Sequence, residues 1–183
     1  MGPGLRRDDI GICGSFSAMS PHVRAGAIAA VTALVLDQAS KLWLLFVFDL
    51  ANRGVVHVTP FFDLVLAWNV GISFGWFQND SVLAQAVLTT IKAVAVIVLA
   101  IWMARSRNLL ATVALGLIIG GAIGNAIDRF AYGAVVDFAL FHVQIGGNTF
   151  NWYVFNLADV AIVAGVAGLL YDSFLGVPAA KAP

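Results

Sequence analysis

Apolar residues along this chain gather into four long runs: Ala25–Phe48, Ser81–Met103, Leu109–Ile127 and Val154–Leu175, each of 19 to 24 residues. A helix of about 20 residues, rising about 1.5 Å per residue, crosses a hydrocarbon layer of roughly 30 Å. Each run therefore predicts a membrane-spanning helix. The first is not a cleaved export signal, being too long and holding Asp37 and Lys41 inside it. Residues 49–80 break the pattern. Val55-Val56-His57-Val58 and Phe61 through Trp68 are β-branched and aromatic runs punctuated by Gly54, Pro60, Gly71 and Gly75, which predicts short strands. Trp68, Phe74, Trp76 and Phe77 suit this stretch to the outer membrane interface. Residues 128–153 read as a second outer loop, closing on Asn151-Trp152-Tyr153. The predicted fold class is an all-α membrane protein: four transmembrane helices with a small extracytoplasmic β-subdomain between helices one and two. Residues 1–24 form a cytoplasmic lead, 25–175 one domain and 176–183 a cytoplasmic tail. Met19 serves as well as Met1 for a start.

Composition strengthens this picture. The chain is 61% apolar and 11% charged, with a mean hydropathy of +0.92. Soluble domains are nearer a quarter charged and disordered chains are polar, so both classes are excluded. Ten Lys and Arg balance ten acids, all of them Asp. Zero net charge offers no basic surface for nucleic acid. Charge position sets orientation: with both termini inside, the cytoplasmic flanks hold Arg6, Arg7, Arg24, Arg105, Arg107 and Lys181, the outer side only Arg53 and Arg129. The lone Cys13 permits neither an internal disulfide nor a cysteine metal cluster. Ile12 is too bulky, and the residues before it too polar, for a lipid-acceptor cysteine. His22, His57 and His142 are scattered without an HExxH pattern, and there is no GxSxG elbow.

Ionisable groups inside the apolar runs carry the candidate chemistry, because each is costly unless paired or facing a cavity. Asp37 precedes Lys41 by one helical turn, the favourable order for an internal pair, with Ser40 beside it. That pair either holds a bundle together or belongs to a site. Lys92 has no partner in sequence. Asn125, Asp128 and Arg129 share a face at the end of the third run, where Gly120, Gly121 and Gly124 permit close helix approach. They read equally as a polar helix end. Asp137, enclosed by apolar neighbours, and Asp159, on the face of Asn156, have no adjacent base. Two such acids sharing a site of low dielectric cannot both ionise, which supplies one base and one acid. Proton-relay carboxylates of a small proton-coupled transporter subunit fit the same composition. A relay, however, spreads through the membrane depth, whereas Asp128, Asp137 and Asp159 gather near one face.

Five polar islands in order resemble the prokaryotic lipoprotein signal peptidases, or signal peptidase II: Asp37-Gln38-Ala39-Ser40-Lys41; Asn69-Val70-Gly71; Gly120 through Arg129; Gly133 through Phe138; and Phe155-Asn156-Leu157-Ala158-Asp159. The resemblance runs from about Val31 to Leu175. It departs at Ile72-Ser73, where that family carries small residues. It implies a four-span membrane aspartic peptidase with Asp137 and Asp159 as the catalytic pair. Asp37, Lys41, Asn69, Gly71, Asn125, Asp128, Arg129 and Asn156 become its supporting or substrate-binding positions. The implied substrate is a diacylglyceryl-modified prolipoprotein approached through membrane lipid and cut before its lipidated cysteine. The implied setting is the bacterial inner membrane. Water is the nucleophile, no metal or organic cofactor is required, and a monomer suffices.

Overall fold

The computed structural model describes residues 19–70 and 82–175, with backbone alone at 82–89 and 175. Expectations for residues 1–18 of the lead, with Cys13, and for Gly71, Phe74, Gly75, Trp76, Phe77 and the tail lie outside the described residues, while residues 21–24 of the lead belong to the first helix.

Helix α1 (Pro21–Leu42) starts where Ser20 accepts a hydrogen bond from the Val23 amide at 3.3 Å and Pro21 enters the first turn. It runs on into a π-helical turn, Trp43–Val47, and stops at Asp49, whose φ of 56° lies in the left-handed region. A one-turn helix α2 (Leu50–Arg53) follows. Then come β1 (Val56–Thr59), β2 (Phe62–Asn69), α3 (Val82–Arg105), α4 (Leu109–Tyr132), β3 (Val135–Ile145), β4 (Asn148–Phe155) and α5 (Leu157–Leu175).

Helix α4 is the central post. Asn108 caps it, accepting from the Leu110 amide at 2.8 Å, and Gly133 ends it at φ 74°, returning its amide to the Arg129 carbonyl at 3.0 Å. Helices α1 and α5 pack along α4, while α3 leans on it more lightly. Small residues make this approach possible: a Cβ on Gly121 would lie 2.5 Å from the Ala158 carbonyl oxygen. Outward faces carry Ile28, Val35, Val163 and Leu170, exposed apolar side chains in numbers suited to lipid rather than water. Among the described residues, three helices, Pro21–Val47, Leu109–Tyr132 and Leu157–Phe174, are long and apolar enough to cross a membrane.

The four strands form one antiparallel sheet in the order β1-β2-β3-β4, seated on Leu44, Leu50, Phe138 and Ala139. This corrects the expected subdomain. Half of the sheet comes from residues expected as a plain outer loop. Gly146 and Gly147, at φ 59° and 83°, close a two-residue β3–β4 hairpin of the kind that needs left-handed backbone. Boundaries move as well: Gly133 rather than Ile127 ends α4. Val154 and Phe155, expected within the fourth span, belong to β4, and α5 starts only at Leu157.

Candidate active site

The site is built in two layers where α1, α4, β3 and α5 meet. In the first, Lys41 lies between two carboxylates, 2.7 Å from Asp37 Oδ2 and 2.7 Å from Asp128 Oδ2, and donates to Asn125 Oδ1 at 3.1 Å. Asp37, Lys41 and Asp128 are 0%, 2% and 1% exposed. The expected self-contained Asp37–Lys41 pair is thus two members of a triad. Asp128 turns away from the Arg129 with which it shares a helix end. The remaining lone pairs of the triad dock β3 and α5. Asp37 Oδ1 accepts the Ala158 amide of the first turn of α5 at 2.9 Å, where the helix dipole favours an anion. Asp128 Oδ2 accepts the Val136 amide at the start of β3 at 3.1 Å. Gly124 leaves room for Asp37, since a Cβ there would lie 2.5 Å from Asp37 Oδ2.

The second layer holds Asp137 and Asp159 through asparagine amides. Asn156 Nδ2 donates to Asp137 Oδ1 at 2.7 Å and reaches Asn125 Oδ1 at 3.0 Å. Asn156 also caps α5 reciprocally with Asp159. The Asp159 amide donates to Asn156 Oδ1 at 3.0 Å and the Asn156 amide to Asp159 Oδ2 at 3.2 Å, a capping box with an aspartate in the third position. Asn125 Nδ2 donates to Asp159 Oδ1 at 3.0 Å, and Asn69 Nδ2 to Asp137 Oδ2 at 3.1 Å. Asn69 reaches this place because β2 pairs Asn69 with Val135 and Ala67 with Asp137. Asp137 is buried and Asp159 half-buried.

Burial pushes the Asp137 carboxyl above the usual carboxylate range, and the charge of Asp159 adds to it. Hydrogen bonds from Asn69 and Asn156 and the charge of Lys41 offset this only in part. The expectation that neither acid has a base nearby holds along the chain but not in space. The charge of Arg129 is felt at Asp137 and Asp159, and its Nη1 donates to the Asn125 carbonyl at 3.3 Å.

Of the expected site residues, Asp37, Lys41, Asn69, Asn125, Asp128, Arg129, Asp137, Asn156 and Asp159 converge here. Gly71 lies outside the described residues, and Ser40 only returns its hydroxyl to the Asp37 carbonyl of its own helix. Gln38 had been given no role. Its Nε2 donates to Asp128 Oδ1 at 2.9 Å, the Gly124 carbonyl at 3.1 Å and Asp37 Oδ2 at 3.2 Å. An amide beside Asp37 in an otherwise apolar run was the signal for it. Among the described residues, no three His, Cys, Asp or Glu side chains converge as a metal ion requires.

Apolar helices of membrane-crossing length, carrying at one end two carboxylates that share amide donors, define a membrane hydrolase of the aspartic type. The chain belongs to the signal peptidase (SPase) II family, whose profile matches residues 29–175. It is 73% identical over 165 residues to a lipoprotein signal peptidase of Nitrobacter hamburgensis, covering 90% of this chain and 100% of that one. It is 68% identical over 165 residues to one of Rhodopseudomonas palustris, with the same coverage. Its fold matches a solved bacterial membrane enzyme at a TM-score of 0.67 and 25% identity, over 86% of this chain and 94% of that one. A proton-coupled transporter finds no support in these relatives.

Proposed function

We propose that this peptidase removes the signal peptide from diacylglyceryl-modified prolipoproteins, cutting before the lipidated cysteine, with Asp137 and Asp159 as its catalytic pair. The observation that carries this reading is Asn156, which bonds Asp137 with its side chain and exchanges hydrogen bonds with Asp159 at the same position. Burial favours the protonated form of Asp137, so Asp137 acts as the acid of the pair and Asp159 as the base. Asp159 takes a proton from water as the water oxygen attacks the scissile carbonyl. Asp137 donates a hydrogen bond to the developing oxyanion. The carbon–nitrogen bond then breaks, and the leaving amine receives the proton held by the pair. Protons on the pair belong to both residues, so its two apparent pKa values describe the dyad as a unit.

Four helices cross the bacterial inner membrane in this reading, α3 with its 24 residues being the fourth. Both termini are cytoplasmic, the dyad lies near the outer face, and the monomer is the working unit. The acyl chains stay in lipid while the sheet holds the peptide above the dyad. The experiment is direct. Purified protein is incubated with one prolipoprotein in diacylglyceryl-modified and unmodified forms, and the size shift is read. Cleavage of the modified form alone is expected; cleavage of neither contradicts the proposal.

A further inference from the structure

At the sheet end remote from the dyad, Asp63 is 5% exposed and lies between two imidazoles. Its Oδ1 is 2.8 Å from His57 Nδ1 on β1, and its Oδ2 is 3.2 Å from His142 Nε2 on β3. We propose that Asp63 is a positioning residue for the peptidase: clasped between His57 and His142, it pins the register of β2 so that Asn69 meets Asp137. This rests on the reading of Asp137 as catalytic.

The need for a pin is written in β2 itself. Its sequence, Phe-Asp-Leu-Val-Leu-Ala-Trp-Asn, has five apolar residues in a row between Asp63 and Asn69. Register is set by the match of side chains to the two faces, since a one-residue slip turns every side chain to the other face. A one-residue slip of β2 exchanges apolar for apolar at Leu64 through Trp68. Pairing is irregular between His57 and Thr59 on one side and between Leu64 and Ala67 on the other. Only the polar ends distinguish one register from the next. A slip turns Asp63 to the face of Phe62 and Leu64, which pack on the apolar cluster of Leu44, Leu50 and Phe138. A carboxylate stranded there has lost both imidazoles and gained no partner.

His57 is 77% exposed on its side chain and His142 12%. The His142 amide also donates to the Phe61 carbonyl at 3.0 Å, tying β3 to the start of β2 beside the clasp. Among the described residues, the ionisable side chains that act on Asp63 are these two histidines, and the one on β4 is Tyr153, itself exposed. Burial pushes the Asp63 carboxyl up. The close approach and charge of His57 and His142 outweigh that and hold it below its usual value. Asp63 therefore stays ionised across the range in which imidazole titrates.

The test uses the full chain in detergent, a diacylglyceryl-modified prolipoprotein peptide, and kcat/KM from about pH 5 to about pH 8, the window in which imidazole changes charge. The Asn69 hydrogen bond favours ionised Asp137. Losing it therefore moves the limb of the bell-shaped profile that Asp137 sets to higher pH. Asp63→Asn is expected to shift the profile in the same direction as Asn69→Ala. Its loss of rate relative to the unaltered protein should grow at least about threefold from about pH 7.5 to about pH 5.5. The double variant should add little to Asn69→Ala, because both act through one contact. A general weakening of the sheet lowers the rate without moving the profile, and that result overturns the proposal, as does an unshifted Asp63→Asn. If Asp63→Asn does not fold, His57→Gln alters only an exposed side chain and carries the same prediction with a smaller shift. Asp137→Asn run alongside separates the two readings. Turnover by that variant sinks the dyad, whereas an inert Asp137→Asn with an unshifted Asp63→Asn sinks the register pin alone.

Discussion

Asp137 illustrates how burial becomes reactivity. Its carboxyl is raised in the folded protein, so protonation is easier there than in the unfolded chain. Folding is favoured by that proton below the ordinary carboxyl range, and the benefit is lost as pH rises through the raised value. At about pH 7 the buried Asp137 carboxyl is thus a cost to folding, and Asp137→Asn is expected to leave Tm equal or a few degrees higher. The gain should vanish below about pH 4, where Asp is protonated in both states. Thermal scans of both proteins across this range check it; a Tm deficit that persists at every pH contradicts it. Lys41 carries the opposite expectation. Lys41→Met leaves Asp37 and Asp128 facing each other without their cation, and should destabilise by about 3–5 kcal/mol, read as a clear fall in Tm.

At the level of elements, the triad explains how helices and sheet hold the dyad, and it shows what could be read from sequence. The four apolar runs and the two strands over 55–68 were legible because period and composition change there. Asp37, Lys41, Asn125, Asp128, Asp137, Asn156 and Asp159 were legible as polar residues where lipid should be. Asp37 facing Lys41 was legible from their spacing, but the second carboxylate was not, because Asp128 lies 87 residues further on and its choice of Lys41 over Arg129 depends on helix packing. The β3–β4 hairpin was missed although Gly146-Gly147 between aromatic runs marks it. His57, Asp63 and His142 lie in separate strands, so no local spacing joins them. Packing at Gly124 gives an element-level prediction. A methyl there meets Asp37 Oδ2 at 2.5 Å, and Asp37 cannot yield without releasing the Ala158 amide at the start of α5. Gly124→Ala is therefore expected to lower both Tm and cleavage rate, whereas Gly146→Asn, which keeps a residue tolerant of left-handed backbone in the hairpin, should change neither. Purified variants compared in one detergent decide it.

For the whole molecule, orientation and chemistry are linked, since the sheet and the dyad share one end of the helices. Ser106→Cys in a background with Cys13→Ser should resist a membrane-impermeant thiol reagent in intact cells, while Gly133→Cys should label; labelling at 106 would reverse the topology. The central claim is that one peptidase site is built from two carboxylates held by the asparagines. Its most direct test is the rate of prolipoprotein cleavage by Asp137→Asn, Asp159→Asn and the double variant, each confirmed folded by its thermal midpoint. Asparagine keeps the shape but neither takes up nor releases a proton. Each single change should therefore lower the rate at least about a thousandfold, and the double change should do little more, as for residues acting as one unit. Turnover by either single variant above about one-hundredth of the unaltered rate would contradict the assignment of Asp137 and Asp159 as the catalytic pair.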